Sequence, residues 1–179
     1  AAGYVDASGA TTGWLNALAH CPLDLNPEAP KGPGSPHRGD SLMGLGHCGL
    51  LRLAQRAGVA NLPPQPHDAG AYAEVLRQVQ AAMREPGRAL AARRVFETIG
   101  VFLGYAVAQL AEYLLELRHV LLLGCVCDGE GGQVIMEKAH EVLRTEFPAI
   151  AGITFHVLDE HTKRAGSLVA ISALPRLEN

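Results

Sequence analysis

A glycine-rich turn that carries two cysteines is the stretch of this chain best suited to bind a ligand. An apolar run at residues 120–123 leads into Gly124, Cys125, Gly131 and Gly132, and an amphipathic helical pattern follows. Glycines permit positive φ and close approach to the backbone, and the first turn of a helix presents unpaired N–H groups to anions. The pattern therefore predicts a phosphate or nucleotide site. The same glycines would also serve a plain strand-to-helix connection.

Two strands and a crossover helix must position this turn. Residues 120–123 have no polar residue in alternation, which predicts a strand buried on both faces within a parallel sheet. We predict that this strand spans residues 119–126 and lies beside a second strand at residues 153–158, with the helix after Gly132 between them. A strand, helix and strand in this order give parallel neighbours. Ligands of such sheets bind at the carboxyl ends of the strands, where the turn lies.

A long helical pattern at residues 88–117 precedes the first strand and should pack on one face of the sheet. Gly100 and Gly104 fall one turn apart in it, and each costs about 1 kcal/mol relative to alanine. Close packing against a neighbouring element would account for both glycines. The alternative is that the bare backbone leaves room for a ligand. General experience favours packing, but we keep Gly100 among the candidate ligand contacts.

The remaining patterns complete one α/β domain over residues 1–179. Short strands are predicted within residues 3–18. Helices are predicted over residues 41–57, with Gly58 as the stop, over 68–83, and over 162–174. The segment 22–40 contains five prolines, which predicts a long surface loop.

The composition of the chain limits the kinds of binding partner and the cellular compartment that we expect. A formal net charge of -3 with only 15 Lys and Arg argues against a nucleic-acid surface, which needs clustered positive charge. The apolar helical segment 99–117 carries Gln109, Glu112 and Glu116, so it lacks the ~20 consecutive apolar residues of a membrane span. The four cysteines are expected to be reduced in the cytoplasm. Cys125 and Cys127 should not pair, because residues two apart on a strand lie roughly 6.5 to 7 Å apart.

The order of elements resembles a known architecture. A glycine-bearing helix at residues 97–110 is followed by a strand that ends in Leu123-Gly124, and a last helix opens with Ala165-Gly-Ser. This order, over roughly residues 88–174, resembles the carboxy-terminal lobe of the actin-like ATPase superfamily, and within it the ROK family of sugar kinases and repressors. In that family a Gly-Gly pair after the long helix meets the adenosine of ATP. Gly124 matches the first glycine of the pair, and Cys125 departs from the second.

The resemblance implies a ribonuclease H-like α/β fold with a mixed sheet and helices on both faces. It implies a carboxy-terminal lobe of a larger two-lobed, cytoplasmic kinase that uses ATP with Mg2+ to phosphorylate a sugar, with a homodimer left open. Nucleotide contacts are then expected at Gly100, Gly124, Cys125, Gly131 and Gly132. The catalytic Asp of such kinases belongs to the other lobe, so we assign no catalytic residue here.

Upstream of this region the resemblance is weaker. Ala17 stands where the family has a sugar-contacting Glu, although His20 falls at a family His position. The family's cysteine-rich zinc loop is reduced to His47 and Cys48. A zinc site built from His20, Cys21, His47 and Cys48 would have ligands of acceptable type. Their spacing is not that of a known zinc finger, so ordinary packing is favoured over zinc.

The sequence is therefore compatible with three functions. The first is a nucleotide-binding lobe of a ROK-like kinase. The second is a non-catalytic actin-fold module that binds a partner or small ligand, consistent with the missing Glu and with Cys125 in the glycine pair. The third is an unrelated α/β domain with a mononucleotide site at the same turn. An Asp-x-Gly-Gly-Thr type segment upstream in the parent gene would favour the kinase.

Overall fold

A computed structural model describes residues 21–32, 35, 37–61 and 69–157. These residues form a mixed α/β structure with the helices α1 (Ser41–Gly44), α2 (Gly46–Arg56), α3 (Ala69–Ala82), α4 (Ala89–Ala111) and α5 (Gly129–Glu146), and the strands β1 (His119–Leu122) and β2 (Thr154–Val157). The predictions for residues 3–18 and 162–174 lie outside the described residues. Within this part of the chain, none of the helices combines the length and the apolar character needed to cross a bilayer.

The helix predicted over residues 41–57 is divided into α1 and α2. Leu45 is extended (φ -118°, ψ 161°) and Gly46 has a φ of 62°, so the chain leaves the helical path between the two. Asp40 caps α1, because its Oδ1 accepts a hydrogen bond from the Met43 N–H at 3.2 Å. Gly58, with a φ of 63°, follows α2 as predicted.

The central unit of the fold is the pair formed by α4 and α5. A Cβ atom on Gly100 would lie 2.6 Å from the carbonyl oxygen of Ile135, and one on Gly104 would lie 2.8 Å from the Cβ of Val142. Real Cβ atoms do not come this close, so both glycines permit the two helix backbones to approach each other. α4 ends at Ala111, earlier than the predicted residue 117.

The two strands pair in parallel, as predicted from their order. His119 lies opposite Thr154 and Leu122 opposite Val157, and α5 makes the crossover between them. One face of the pair rests on α4 and α5. The apolar core on this face consists of Val107, Ala108, Ala139, Leu143, Ile153 and Phe155, with Val120 and Leu122 packed against it. The predicted contact between the long helix and one face of the sheet is therefore confirmed.

The prediction that the first strand is buried on both faces is wrong. Leu121 is 51% exposed and Leu123 is 66% exposed, while alternate residues face α4 and α5. Within the described residues, both helices lie on the same face of the strands. The opposite face carries His119 and His156, whose Nδ1 and Nε2 atoms are 3.0 Å apart. The strand also ends at Leu122, before the predicted residue 126.

The proline-rich segment 22–40 forms backbone bridges, and some of its residues are buried. Isolated antiparallel bridges join Pro22 to Asp40 and Lys31 to Arg38. Ala29, Ser35 and Asp40 are buried. The prediction of a long surface loop therefore holds only in part, because backbone pairing folds the segment back on itself and buries some of its residues.

Candidate ligand-binding turn

The turn between β1 and α5 begins at Gly124, whose backbone has φ 118° and ψ 155°. Side chains of L-residues rarely tolerate this conformation, so the backbone itself requires glycine here. A Cβ atom added to Gly124 would meet no heavy atom within 4 Å. The glycine is exposed, and the space beside it is open.

The next residues leave the extended path, which corrects the prediction of a strand to residue 126. Cys125–Cys127 form a single 3-10 turn, in which the Cys127 N–H donates to the Gly124 carbonyl at 3.2 Å and the Asp128 N–H donates to the Cys125 carbonyl at 3.1 Å. All four cysteines of the chain lie in the described part and carry thiols, so the predicted lack of a disulfide is confirmed. Because Cys125 and Cys127 do not lie on a strand, strand spacing is not the reason that they remain unpaired.

α5 starts at Gly129, earlier than predicted, with Asp128 as the extended N-cap residue. Gln80 of α3 braces this start, because its Nε2 donates to the Asp128 carbonyl at 2.9 Å. Glu130 lies in the first turn, where a negative charge suits the helix dipole, and its Oε2 is 3.1 Å from Nη2 of Arg84. The helix start thus has its own carboxylate and a compensating guanidinium.

Gly131 and Gly132 are buried beneath the turn. A Cβ atom on Gly131 would lie 2.5 Å from the ring of Phe96, and one on Gly132 would lie 1.8 Å from the carbonyl oxygen of Cys127. These two glycines therefore let the first turn of α5 pack tightly on α4 and under the 3-10 turn.

The five residues predicted to contact a nucleotide lie in three places. Gly124 is exposed at the mouth of the turn, and Cys125 beside it is half-buried. Gly131 and Gly132 support the turn from below. Gly100 lies between α4 and α5, where Ile135 and Lys138 fill the space beside it. Among the five predicted contacts, Gly124 is therefore the only exposed residue.

The structure adds His47 and Tyr72 to this region. His47 Nε2 lies 3.2 Å from the Sγ of Cys125, and the His47 ring stacks on Tyr72 with centroids 4.5 Å apart and planes at 15°. From the sequence, His47 is only a weak zinc candidate together with His20, Cys21 and Cys48. No local signal links His47 to Cys125, because 78 positions separate them.

The zinc candidates do not form a metal site within the described residues, where no group of three His, Cys, Asp or Glu side chains could hold a metal. His20 lies outside these residues. Burial raises the pKa of the Cys48 thiol, and the nearby Asp40 charge raises it further. Since zinc binds the thiolate, this environment works against Cys48 as a ligand.

A separate concavity of about 340 Å³ lies in the proline-rich segment. Its lining consists of Pro22, Asp24, Leu25, Asn26, Pro27, His37 and Arg38. It shares no residue with the turn between β1 and α5, and it includes none of the candidate nucleotide contacts.

The turn combines an open left-handed glycine, a parallel strand end and the amino-terminal end of an 18-residue helix. Together these features can accept a flat or polar ligand group against bare backbone. No protein-family model, curated protein or solved structure matches the chain.

Proposed function

We propose that this chain is the nucleotide-binding lobe of a cytoplasmic ROK-like sugar kinase and that it binds ATP with Mg2+ beside the turn between β1 and α5. The observation that best supports the proposal is the backbone conformation of Gly124 together with the open space beside it. Gly124 follows a strand of a parallel pair, its φ of 118° demands glycine, and the space that a side chain would fill is open. The adenine ring of the nucleotide is flat, and it could lie against this stretch of backbone, which carries no side chain.

The charges around the turn favour the adenosine end of the nucleotide over its phosphates. Glu130 and Asp128 are acidic, and Arg84 supplies one positive charge beside Glu130. A polyphosphate placed here would meet the carboxylates of Glu130 and Asp128, although the amino-terminal end of α5 attracts anions. We therefore assign the neutral adenosine to Gly124 and place the phosphates and Mg2+ farther from α5.

One observation favours a second candidate, a non-catalytic actin-fold module that binds a partner or a small ligand. Cys125 replaces the second glycine of the family pair, and its sulfur lies against His47 at 3.2 Å. A side chain at this position occupies space that a Gly-Gly pair would leave to the adenosine. The two candidates differ in whether the intact protein binds adenine nucleotides.

The experiment that separates them is calorimetric titration of the full-length protein with ATP and ADP. For the kinase lobe we expect the wild type to bind and Gly124→Val to lose detectable binding, because the valine side chain would enter the open space. Gly58→Val is the matched control. Gly58 also has a positive φ of 63° and open space beside it, but it lies at the end of α2.

The control should keep wild-type affinity, and circular dichroism should show the same helix content in all three proteins. Wild-type affinity in Gly124→Val would contradict the assignment of adenosine to the turn. An intact wild type without nucleotide binding would favour the non-catalytic module.

A further inference from the structure

The contact between Cys125 and His47 has the geometry of a thiol–imidazole pair. The separation of 3.2 Å between Sγ and Nε2 allows one proton to pass between sulfur and nitrogen. His47 is exposed and Cys125 is half-buried, so small reagents can reach the pair from solvent. A thiolate, not a thiol, is the nucleophile, and a base at this distance can generate it.

Tyr72 holds the imidazole in the orientation that the pair needs. Its ring lies nearly parallel to that of His47, at 15°, with centroids 4.5 Å apart. Tyr72 belongs to α3, His47 to α2, and Cys125 to the turn before α5. Three separate elements therefore supply His47, Cys125 and the ring that stacks on His47.

Cys48, the residue next to His47, has the opposite environment. Burial and the nearby Asp40 charge both raise the pKa of its thiol, which keeps the sulfur protonated near neutral pH. Both cysteines are half-buried, but among the described contacts an imidazole nitrogen lies within 3.2 Å only of the Cys125 sulfur. Cys48 is therefore an internal reference for a half-buried thiol that has no imidazole contact among the described hydrogen bonds.

We propose that Cys125 is a nucleophilic modification site with His47 as its base, and that it reacts with small electrophiles of the peroxide class. In this step the Sγ–H proton passes to Nε2 of His47, and the sulfur attacks one oxygen of hydrogen peroxide. The S–O bond forms as the O–O bond breaks. The leaving hydroxide takes the imidazolium proton and becomes water. Sulfur loses two electrons to the peroxide, and Cys125 becomes a sulfenic acid.

The site goes beyond nucleotide binding and does not depend on it. The test treats the full chain with hydrogen peroxide and a cyclic dione that traps sulfenic acids, and follows each cysteine by peptide mass spectrometry. We expect Cys125 to be labelled at least about 10-fold faster than Cys48, a lower bound set below the roughly 100- to 10,000-fold that a general base contributes. His47→Gln should slow Cys125 labelling by at least about 10-fold without changing Cys48.

His37→Gln, at another exposed histidine, is the matched control and should leave Cys125 labelling unchanged. Circular dichroism should show that both variants keep the wild-type helix content. Equal labelling of Cys125 and Cys48, or unchanged Cys125 labelling in a folded His47→Gln variant, would overturn the proposal.

A second measurement separates an activated thiol from one that is merely accessible. Iodoacetate carries a carboxylate that an imidazolium attracts, whereas iodoacetamide is neutral and of similar size. The ratio of the iodoacetate rate to the iodoacetamide rate at Cys125 should fall in His47→Gln and stay constant in His37→Gln. A ratio that is the same in the wild type and His47→Gln would also overturn the proposal, because access alone would then explain the reactivity.

Discussion

The glycines of the α4–α5 pair and Gly124, in the turn after β1, look alike in the sequence and differ in the structure. Gly100 and Gly104 have no room for a side chain, because the backbone and side chains of α5 lie within 2.8 Å of where a Cβ would be. Gly124 has open space and a φ of 118°. Gly100 and Gly104 are required because atoms of α5 occupy the space of a side chain, whereas Gly124 is required because of its backbone dihedral angles.

This difference separates structural glycines from a candidate site. A glycine that a neighbour fills cannot also receive a ligand, so Gly100 contributes to binding only through the position of α5. A glycine beside open space leaves room that a ligand can use. Substitutions at the two kinds of glycine should therefore differ in their effects on stability and on binding.

The largest effect is expected for Gly100→Val. The new side chain would overlap the Ile135 carbonyl, which belongs to the backbone and cannot rotate away. We expect the free energy of unfolding to fall by about 3 kcal/mol, the upper range for overpacking a core. Urea denaturation followed by circular dichroism measures the change. A loss below about 1 kcal/mol would show that α4 and α5 separate easily.

A smaller loss is expected for Gly124→Ala. The methyl group meets no neighbour, so the loss comes only from holding a non-glycine residue at a φ of 118°. Such strain costs about 2 kcal/mol. Gly58→Ala, at a φ of 63°, is the control and should lose less, because that conformation is less strained for alanine. Equal losses in the same urea experiment would contradict the special character of the Gly124 backbone.

Tyr105→Phe tests the surface of the α4–α5 contact. The Tyr105 hydroxyl donates a hydrogen bond to Glu146, and this bond is the main reason that the pKa of Tyr105 is raised. At pH 7 the variant should lose less than about 1 kcal/mol, because solvent weakens an exposed contact. Because the pKa of Tyr105 is raised in the folded protein, Tyr105 ionises at a lower pH in the unfolded chain than in the folded one. The stability that wild type gains over Tyr105→Phe should therefore shrink as the pH rises above about 10.

Chemical denaturation at pH 7 and at several values above pH 10 measures this difference. A wild-type advantage that grows with pH would contradict the assigned hydrogen bond. The comparison with Gly100→Val then shows whether close backbone approach or surface bonding holds the helix pair together.

The smallest effect, and the only gain, is expected for Gly152→Ala. Gly152 has open space beside its Cα and does not have a positive φ. Alanine should therefore stabilise the chain by about 0.5 kcal/mol by restricting the unfolded state. Thermal unfolding measures the gain. A loss would show that exposed glycines of this chain carry strain that their dihedral angles do not reveal.

The parallel pairing of the two strands could be predicted because it follows from the order of the elements. Few topologies are compatible with a strand, a helix and a strand, and their handedness is fixed. The burial of the first strand could not be predicted in the same way. Its apolar run is compatible with one covered face or with two, and only the positions of α4 and α5 decide that Leu121 is exposed.

The candidate site was predictable only in its local part. Gly124 was identified because glycine after an apolar run indicates a turn, whatever packs nearby. The role of Gly100 depends on Ile135 of α5, and the role of His47 depends on Cys125, 78 positions away. Contacts between such distant positions depend on how the helices pack, which local patterns of residues do not encode.

The crossover through α5 has a consequence for the order of folding. β1 cannot pair with β2 until the segment between them has turned at Gly124, formed α5 and returned beside the first strand. We therefore expect the sheet to close late, after the local helices, because the intervening segment must lose conformational entropy before the strands gain contacts. Backbone amides of β1 and β2 should exchange with solvent in the same opening event that separates α5 from α4.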